Sequence, residues 1–568
     1  MKRVIFTLLA ILVICSIAHA KYSGGSGTNA NPYKIGTTAD LLALAANESD
    51  YGKHFLLTAD INLSSYTFSA AVIAPDTNNS SDGFYGVAFT GDFDGAGHKI
   101  TNLTIISSAG KDYLGLFGYI DGGEIKNLGL ENVRVIGGNG SSCLGGLAAD
   151  NNGDIRNCYS IGTVTSGNTS TFLGGLAGYN SGSIDDCNST AAVTCGINSS
   201  SLGGLVGESE GDIRNCLSTG NVTGGNTAYN TGALVGYNNG DISDCYSTGA
   251  ARGGNNSRAV GGLVGWNDDG GNIITSYSTG TVTGGDTSYN IGGLVGYNLL
   301  SSVSNCYSTG NATGGDDSGA LGGLVGWNND GDITNCYSTG AVDGGFRLGG
   351  LVGYDLPGSV SSSYFLVTSG PDDSNAVPLT DAQMKQQSRF VGWDFVGETA
   401  NGTDNIWTIT EGVSYPKLVS PAEEEEIDQL DITKCSVTAG KKVNSDKISF
   451  SGTMNATADD FNDVNVVVTI DSNDINFILT FPINDKTWKV TKGKYSYSGT
   501  ENEVKKSFKY NLKTGKFSFA ASKLDLCGLA CPLTVQIDIN SYAGTTEIDE
   551  DVANGPKKPI PINLTDCP

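Results

Sequence analysis

Residues 202–230 read LGGLVGESEGDIRNCLSTGNVTGGNTAYN, and this pattern recurs eight times between residues 137 and 365. The copies start at Leu144, Leu173, Leu202, Thr231, Val260, Ile291, Leu321 and Leu348. Aligned on Cys158, the equivalent positions are Cys187, Cys216, Cys245, Ser276, Cys306, Cys336 and Ser363. By subtraction the steps are 29, 29, 29, 31, 30, 30 and 27 residues. So regular a period describes a structural unit stacked on copies of itself.

Each unit holds three short runs, of the types LGGLVG, DIxNCYS and xVTGG, separated by Gly, Asn and Asp. They are rich in Val, Ile, Thr and Tyr, and too short and Gly-broken for helices. Three strands per period predict one coil of a three-faced parallel β-helix, with coils ~4.8 Å apart. The crossover rule makes it right-handed. Stacking then turns equivalent positions into columns. Ile155, Ile184, Ile213, Ile242, Ile273, Val303, Ile333 and Val360 predict an aliphatic core column. The Cys positions predict small buried thiols, because ligands one coil apart do not converge on a metal and two of the rungs are Ser. Asn180, Asn238, Asn267, Asn298 and Asn328 predict a ladder of stacked amides at a turn.

The recurring GGLVG followed by NCYSTG resembles the GLUG motif of bacterial secreted and surface proteins. Its flanks resemble them too: residues 22–44 (YSGGSGTNANPYKIGTTADLLAL), 89–105 (FTGDFDGAGHKITNLTI) and 406–418 (IWTITEGVSYPKL). The resemblance implies a solenoid in a secreted or cell-surface protein, often adhesive. It fixes no single activity.

The chain has 568 residues and 59 acidic against 33 basic side chains, a net charge of −26. That balance argues against nucleic acid, whose recognition needs a basic patch. Residues 137–365 carry 18 acids, five arginines and no lysine, about −13 for the repeats alone. The acids keep a large surface soluble; weak calcium binding is the sharper reading of the same charge, and no other cofactor is expected. Residues 1–20 read as a secretory signal peptide: Lys2 and Arg3, an apolar stretch over 4–17, then Ala18-His19-Ala20 with cleavage after Ala20. No later apolar run reaches the length of a membrane helix. Secreted or cell-surface location follows.

Residues 21–136 are expected to form the N-terminal cap and irregular first coils, with Thr37 to Asp40 opening a short helix. Residues 366–420 are expected to cap the other end, with Thr380 and Gln383 opening a second. Four glutamates mark an acidic linker at 421–428. Residues 429–568 alternate apolar and polar side chains in seven runs, which predict an antiparallel β-sandwich of immunoglobulin-like type. The fold class expected is therefore all-β: a parallel β-helix followed by that sandwich. Cys435, Cys527, Cys531 and Cys567 lie in the last region and allow three pairings.

Catalytic motifs are missing from the sequence. After signal removal only His54 and His98 remain, so there is no HExxH zinc motif. Asp92, Asp94 and His98 in GDFDGAGH invite a metal or catalytic reading, but a tight turn explains them. Asp154, Asp212, Asp241 and Asp332 recur once per coil, whereas a lyase or glycoside hydrolase site would break the symmetry. Polysaccharide processing on a β-helix is the competing function.

Two columns are nearly all aromatic. Tyr179, Tyr237, Trp266, Tyr297, Trp327 and Tyr354 follow the LVG or LAG of their copies, with Glu208 interrupting; Tyr159, Tyr246, Tyr277, Tyr307, Tyr337 and Tyr364 form the second. Flat apolar faces with polar tips suit sugar rings or partner proteins, and they also stabilise stacked coils. The expected function is a structural or adhesive module making weak multivalent contacts with a polysaccharide or an extracellular protein.

Overall fold

The computed structural model describes residues 21–419, except 79–82, 108–109 and 372–373, and the strands lying between 430 and 548. Residues 1–20, expected to be a signal peptide, residues 421–428, expected to be a linker, and Cys527, Cys531 and Cys567 lie outside the described residues. The chain divides into two compact units, Met1–Val419 and Ser420–Pro568.

The first unit is a parallel β-solenoid of about nine turns. In the copy quoted above, Ser200–Gly203 lies in a third sheet, Val206–Ser209 and Ile213–Arg214 in a first, and Leu217–Ser218 and Val222–Thr223 in a second. Each pairs in parallel with its equivalent one copy earlier and one copy later. The third sheet takes one strand from each of the eight copies. A coil therefore holds five short strands on three sheets rather than three.

Two breaks account for the difference. LGGLVG folds back on itself at Gly204-Leu205, so that its halves join different sheets. DIxNCYS breaks at a column of left-handed residues: Asn157, Asp186, Asn215, Asp244, Thr275, Asn305, Asn335 and Ser362, with φ between 44° and 55°. Asn and Asp reach that region at least cost among non-Gly residues. Several of these side chains also bond to the coil before, as Asn157 Nδ2 donates to Asn127 Oδ1 at 2.8 Å.

The aliphatic column is core throughout, from fully buried Ile155 to Val360 at 7 % exposed. Each such side chain stabilises the rod by about 1.5–3 kcal/mol. The thiols are buried and free, and they do more than fill space. Cys187 Sγ accepts the backbone N–H of Cys158 at 3.4 Å and donates to Asp185 O at 3.1 Å. Ser276 repeats both bonds, accepting from Cys245 N at 3.1 Å and donating to Ile274 O at 2.8 Å. One donor and one acceptor on a small side chain is what the corner requires, which is why Ser substitutes freely.

A short helix lies near each end of the solenoid. The helix α1 (Thr38–Ala45) carries a complete Thr37/Asp40 capping box and buries Leu41 and Leu44. At the far end α2 (Asp381–Met384) carries the Thr380/Gln383 box, and Trp407–Thr408 pairs antiparallel with Lys417–Leu418. This cap docks on the second aromatic column. Tyr246, Tyr277, Tyr307 and Tyr337 stack 4.7–5.0 Å apart and within 8° of parallel. Trp393 and Trp407, themselves 4.3 Å apart, cover its end, and Tyr337 Oη donates to Pro416 O at 2.7 Å.

The second unit is described by its backbone alone. Its strands form antiparallel ladders in two groups, one of six strands and one of four. Lys494–Glu501, Val504–Asn511 and Lys516–Leu524 are consecutive neighbours, and Asn511 pairs with Lys516 across a hairpin.

Candidate binding groove between the first and third sheets

Each coil contributes two side chains to a seam along the rod, seven residues apart in every copy. One stands in the third sheet at a left-handed residue: Cys143, Phe172, Ser201, Asn230, Ala259, Asn290, Ala320 and Arg347, with φ between 53° and 61°. The other stands in the first sheet: Asp150, Tyr179, Glu208, Tyr237, Trp266, Tyr297, Trp327 and Tyr354, in continuous parallel register. The columns touch. Phe172 meets the ring of Tyr179 at 5.9 Å, Ser201 Oγ donates to Glu208 Oε2 at 3.0 Å, and the Arg347 guanidinium lies 3.9 Å over the Tyr354 ring.

The glycines of LGGLVG make this approach possible. A Cβ on Gly207 would lie 2.5 Å from Leu173 N and 2.6 Å from Gly178 O. With no side chain there, the sheets meet backbone to backbone and the residue after the glycine is delivered into the seam.

Five of the six candidate aromatics form an unbroken run. Successive centroids from Tyr237 through Trp266, Tyr297 and Trp327 to Tyr354 are 6.3, 4.5, 5.1 and 5.4 Å apart, tilted by 41° to 81°. That geometry lets each ring edge meet its neighbour's face. Hydroxyls anchor the run: Tyr237 Oη donates to Asp268 Oδ2, and Tyr297 Oη accepts from Asn329 Nδ2 at 2.9 Å. Four of the five rings remain partly exposed, and Tyr297 is buried. Tyr179 stands apart, flanked by Asp150 and Glu208 in the ladder. The seven-residue offset was readable in the sequence, but the left-handed partner column has no residue type in common and gave no signal of its own.

The acidic end has different electrostatics. Burial, reinforced by Asp121, pushes the Asp150 carboxyl up to about 7. Burial also pushes Glu208 up to about 7, against the Ser201 hydrogen bond and with help from Glu210. A raised carboxyl pKa means that the folded state keeps protons the unfolded chain has already lost. Stability contributed here is complete below about pH 4 and declines as pH rises towards 7. Replacing Asp150 by Asn is expected to flatten the decline, raising stability at pH 8 relative to pH 4. The bound is roughly 4 kcal/mol, three units at ~1.4 kcal/mol each. Urea unfolding of both proteins at the two pH values reads the difference.

The GDFDGAGH acids occupy a turn, where Asp94 Oδ1 accepts from Ala96 N at 2.8 Å. His54 Nδ1 lies 2.7 Å from Asp92, and His98 Nδ1 lies 3.1 Å from Asp60. Among the described residues no group of three or more His, Cys, Asp or Glu side chains is placed to hold a metal ion.

Residues 171–194, 198–223, 227–251, 256–283, 287–313 and 317–343 match the family model described as the GLUG motif. These repeats are GLUG motifs. The chain also resembles halomucin of Haloquadratum walsbyi, at 40% identity over 146 residues, covering 25% of this chain and 2% of halomucin. A protein of Evansella cellulosilytica named as a Gly-rich membrane protein is 31% identical over 156 residues, covering 27% of this chain and 17% of its own length. The chain thus spans a small fraction of either relative. No helix among the described residues is long and apolar enough to cross a membrane.

Proposed function

We propose that this chain is an exported surface protein whose GLUG solenoid holds polysaccharide along the seam, through weak contacts repeated once per coil. The observation that carries the reading is the five-ring run from Tyr237 to Tyr354, pinned by hydroxyl bonds and still partly open to solvent. Four coil steps of ~4.8 Å make it ~19 Å long, enough for several sugar rings. Repetition lets the total exceed any single contact. The names of the two relatives agree with a surface role. Under this reading Ser420–Pro568 is an immunoglobulin-like sandwich, supported by its two groups of antiparallel ladders.

Hydrolysis is a second reading with its own observation. Asp150 and Glu208 interrupt the aromatic column on either side of Tyr179, and with both pushed up to about 7, near neutral pH one is protonated while the other is ionised in part of the population. A carboxylic acid paired with a carboxylate is what glycoside hydrolysis uses.

Residues 21–568 are to be mixed with insoluble polysaccharides, with calcium present and then chelated, and the unbound fraction measured. Retention is expected to fall at least about tenfold when Trp266 and Trp327 are both replaced by Ala, since two ring contacts are lost. Unchanged retention by that variant contradicts the binding reading. Shortened glycan favours hydrolysis.

A further inference from the structure

At its C-terminal end the seam opens into a cavity of about 190 Å³. One column of the third sheet runs Arg258, Tyr289, Gly319 and Phe346 in register. Gly319 supplies no side chain, which lets the Phe346 ring pack over it, and Ala320 stands beside it in the seam. Tyr289 and Phe346, two coils apart, meet edge to face across the gap at 6.2 Å and form one wall. Trp327 forms another, and Arg258 and Arg347 also line the cavity.

The arginines set the chemistry. The repeats carry five, and Arg156 and Arg214 are paired with acids on the first sheet. Arg258 and Arg347 make no ion pair among the described residues, although the chain carries 59 acidic side chains. Arg347 instead lies over the Tyr354 ring, 3.9 Å from its centre, a contact that uses none of its hydrogen-bond donors. Planar guanidinium groups recognise carboxylates by paired hydrogen bonds, and aromatic walls recognise the faces of sugar rings. A cavity of this size is smaller than the pockets that enclose drug-sized ligands. It suits a single ring.

We infer that this cavity seats one uronic acid residue of a polysaccharide, its carboxylate held by Arg258 and Arg347 and its ring against Trp327 and Phe346. The inference rests on the polysaccharide reading of the seam and adds the class of sugar. A chain of net charge −26 offers a polyanion no long-range attraction. Selectivity for a uronate must therefore come from direct contact in this cavity.

The probes are short oligogalacturonates and the same oligomers with carboxyl groups reduced to hydroxymethyl, titrated against residues 21–568 by calorimetry. The acidic form is expected to bind about tenfold or more tightly, because a charge-assisted pair is lost on reduction. Replacing both arginines (Arg258→Gln with Arg347→Gln) should abolish the preference while leaving the thermal unfolding midpoint unchanged. Lys at both positions should restore part of it; should the Gln variant fail to fold, the Lys variant alone decides, by a preference that drops but persists. Equal affinity for the two oligomers overturns the inference, as does a preference that survives the Gln variant. If neither oligomer binds while insoluble neutral polysaccharide is still retained, the uronate assignment fails and the groove stands. Loss of all retention removes both.

Discussion

Gly261→Ala is expected to lower folding stability by about 3 kcal/mol or more, whereas Gly262→Ala, one residue away, should cost about 1 kcal/mol. A Cβ on Gly261 would lie 1.9 Å from Val264 O and 2.7 Å from Gly296 N, both backbone atoms of the fold-back between sheets. Neither can yield without pulling two coils apart, and overpacking against backbone sits at the severe end of its range. The Gly262 position is crowded too, with its Cβ 2.0 Å from Gly293 O. Yet the equivalent residue of the fourth copy is Ala233, fully buried. There the bond from Ala233 N to Gly261 O stretches to 3.4 Å, while Gly262, Gly293 and Gly323 make the same bond at 3.0–3.1 Å. One weakened hydrogen bond is the expected loss. The first glycine of the pair is Gly in all eight copies, the second in seven. Urea midpoints of the two variants check the contrast; equal midpoints contradict the close approach.

The amide ladder makes the second large prediction. Asn267 Nδ2 donates to Asn298 Oδ1 at 2.9 Å and to Gly271 O at 2.6 Å, and Asn267 Oδ1 accepts from Asn238 at 2.8 Å. All are fully buried Asn side chains. Asn267→Ala strands Asn298 Oδ1 and Gly271 O without that donor, and is expected to cost about 3 kcal/mol, since each orphaned group costs ~1–3 kcal/mol. The same ladder has a native fault. Ser209 stands where the column wants Asn; its hydroxyl spends its one proton on Gly211 O, and Asn238 Oδ1 is left with no donor. Ser209→Asn should restore that bond and stabilise the chain by about 1 kcal/mol. Opposite signs at two rungs of one column would be hard to obtain from any other arrangement. A destabilising Ser209→Asn would contradict it.

Much of this fold could be read before any coordinates. A period near 29 fixes which residues stack, so the Ile column and the Asn ladder follow from it, and the three-residue spacings Thr37 to Asp40 and Thr380 to Gln383 give the capping boxes. What spacing does not carry is direction. The break at Asn215 depends on backbone handedness, and the fold-back in LGGLVG on an approach at Gly203 too close for any side chain. For the same reason the two aromatic columns looked alike in sequence. The tyrosines are claimed by a cap that closes the contact from Tyr337 to Pro416, 79 residues away, while the other column stays partly open. The thiol bonds were hidden by treating Cys as a hydrophobe; the serines at 276 and 363 were the clue. In the candidate groove, five of the six aromatics stand in one run of neighbouring rings. The arginine-lined cavity did not announce itself, because Arg258 and Arg347 lie 89 residues apart and line one cavity only through the coil register.

The most direct test of the account is a binding series with oligosaccharides of increasing length, read as affinity for residues 21–568 and as chain length afterwards. A groove of repeated weak sites predicts affinity that climbs with each added sugar until the ~19 Å run is filled, then levels, with every oligomer recovered intact. Affinity independent of length would contradict the repeated-site account. Shortened oligomers would move the function from holding polysaccharide to cutting it, and the search to Asp150 and Glu208.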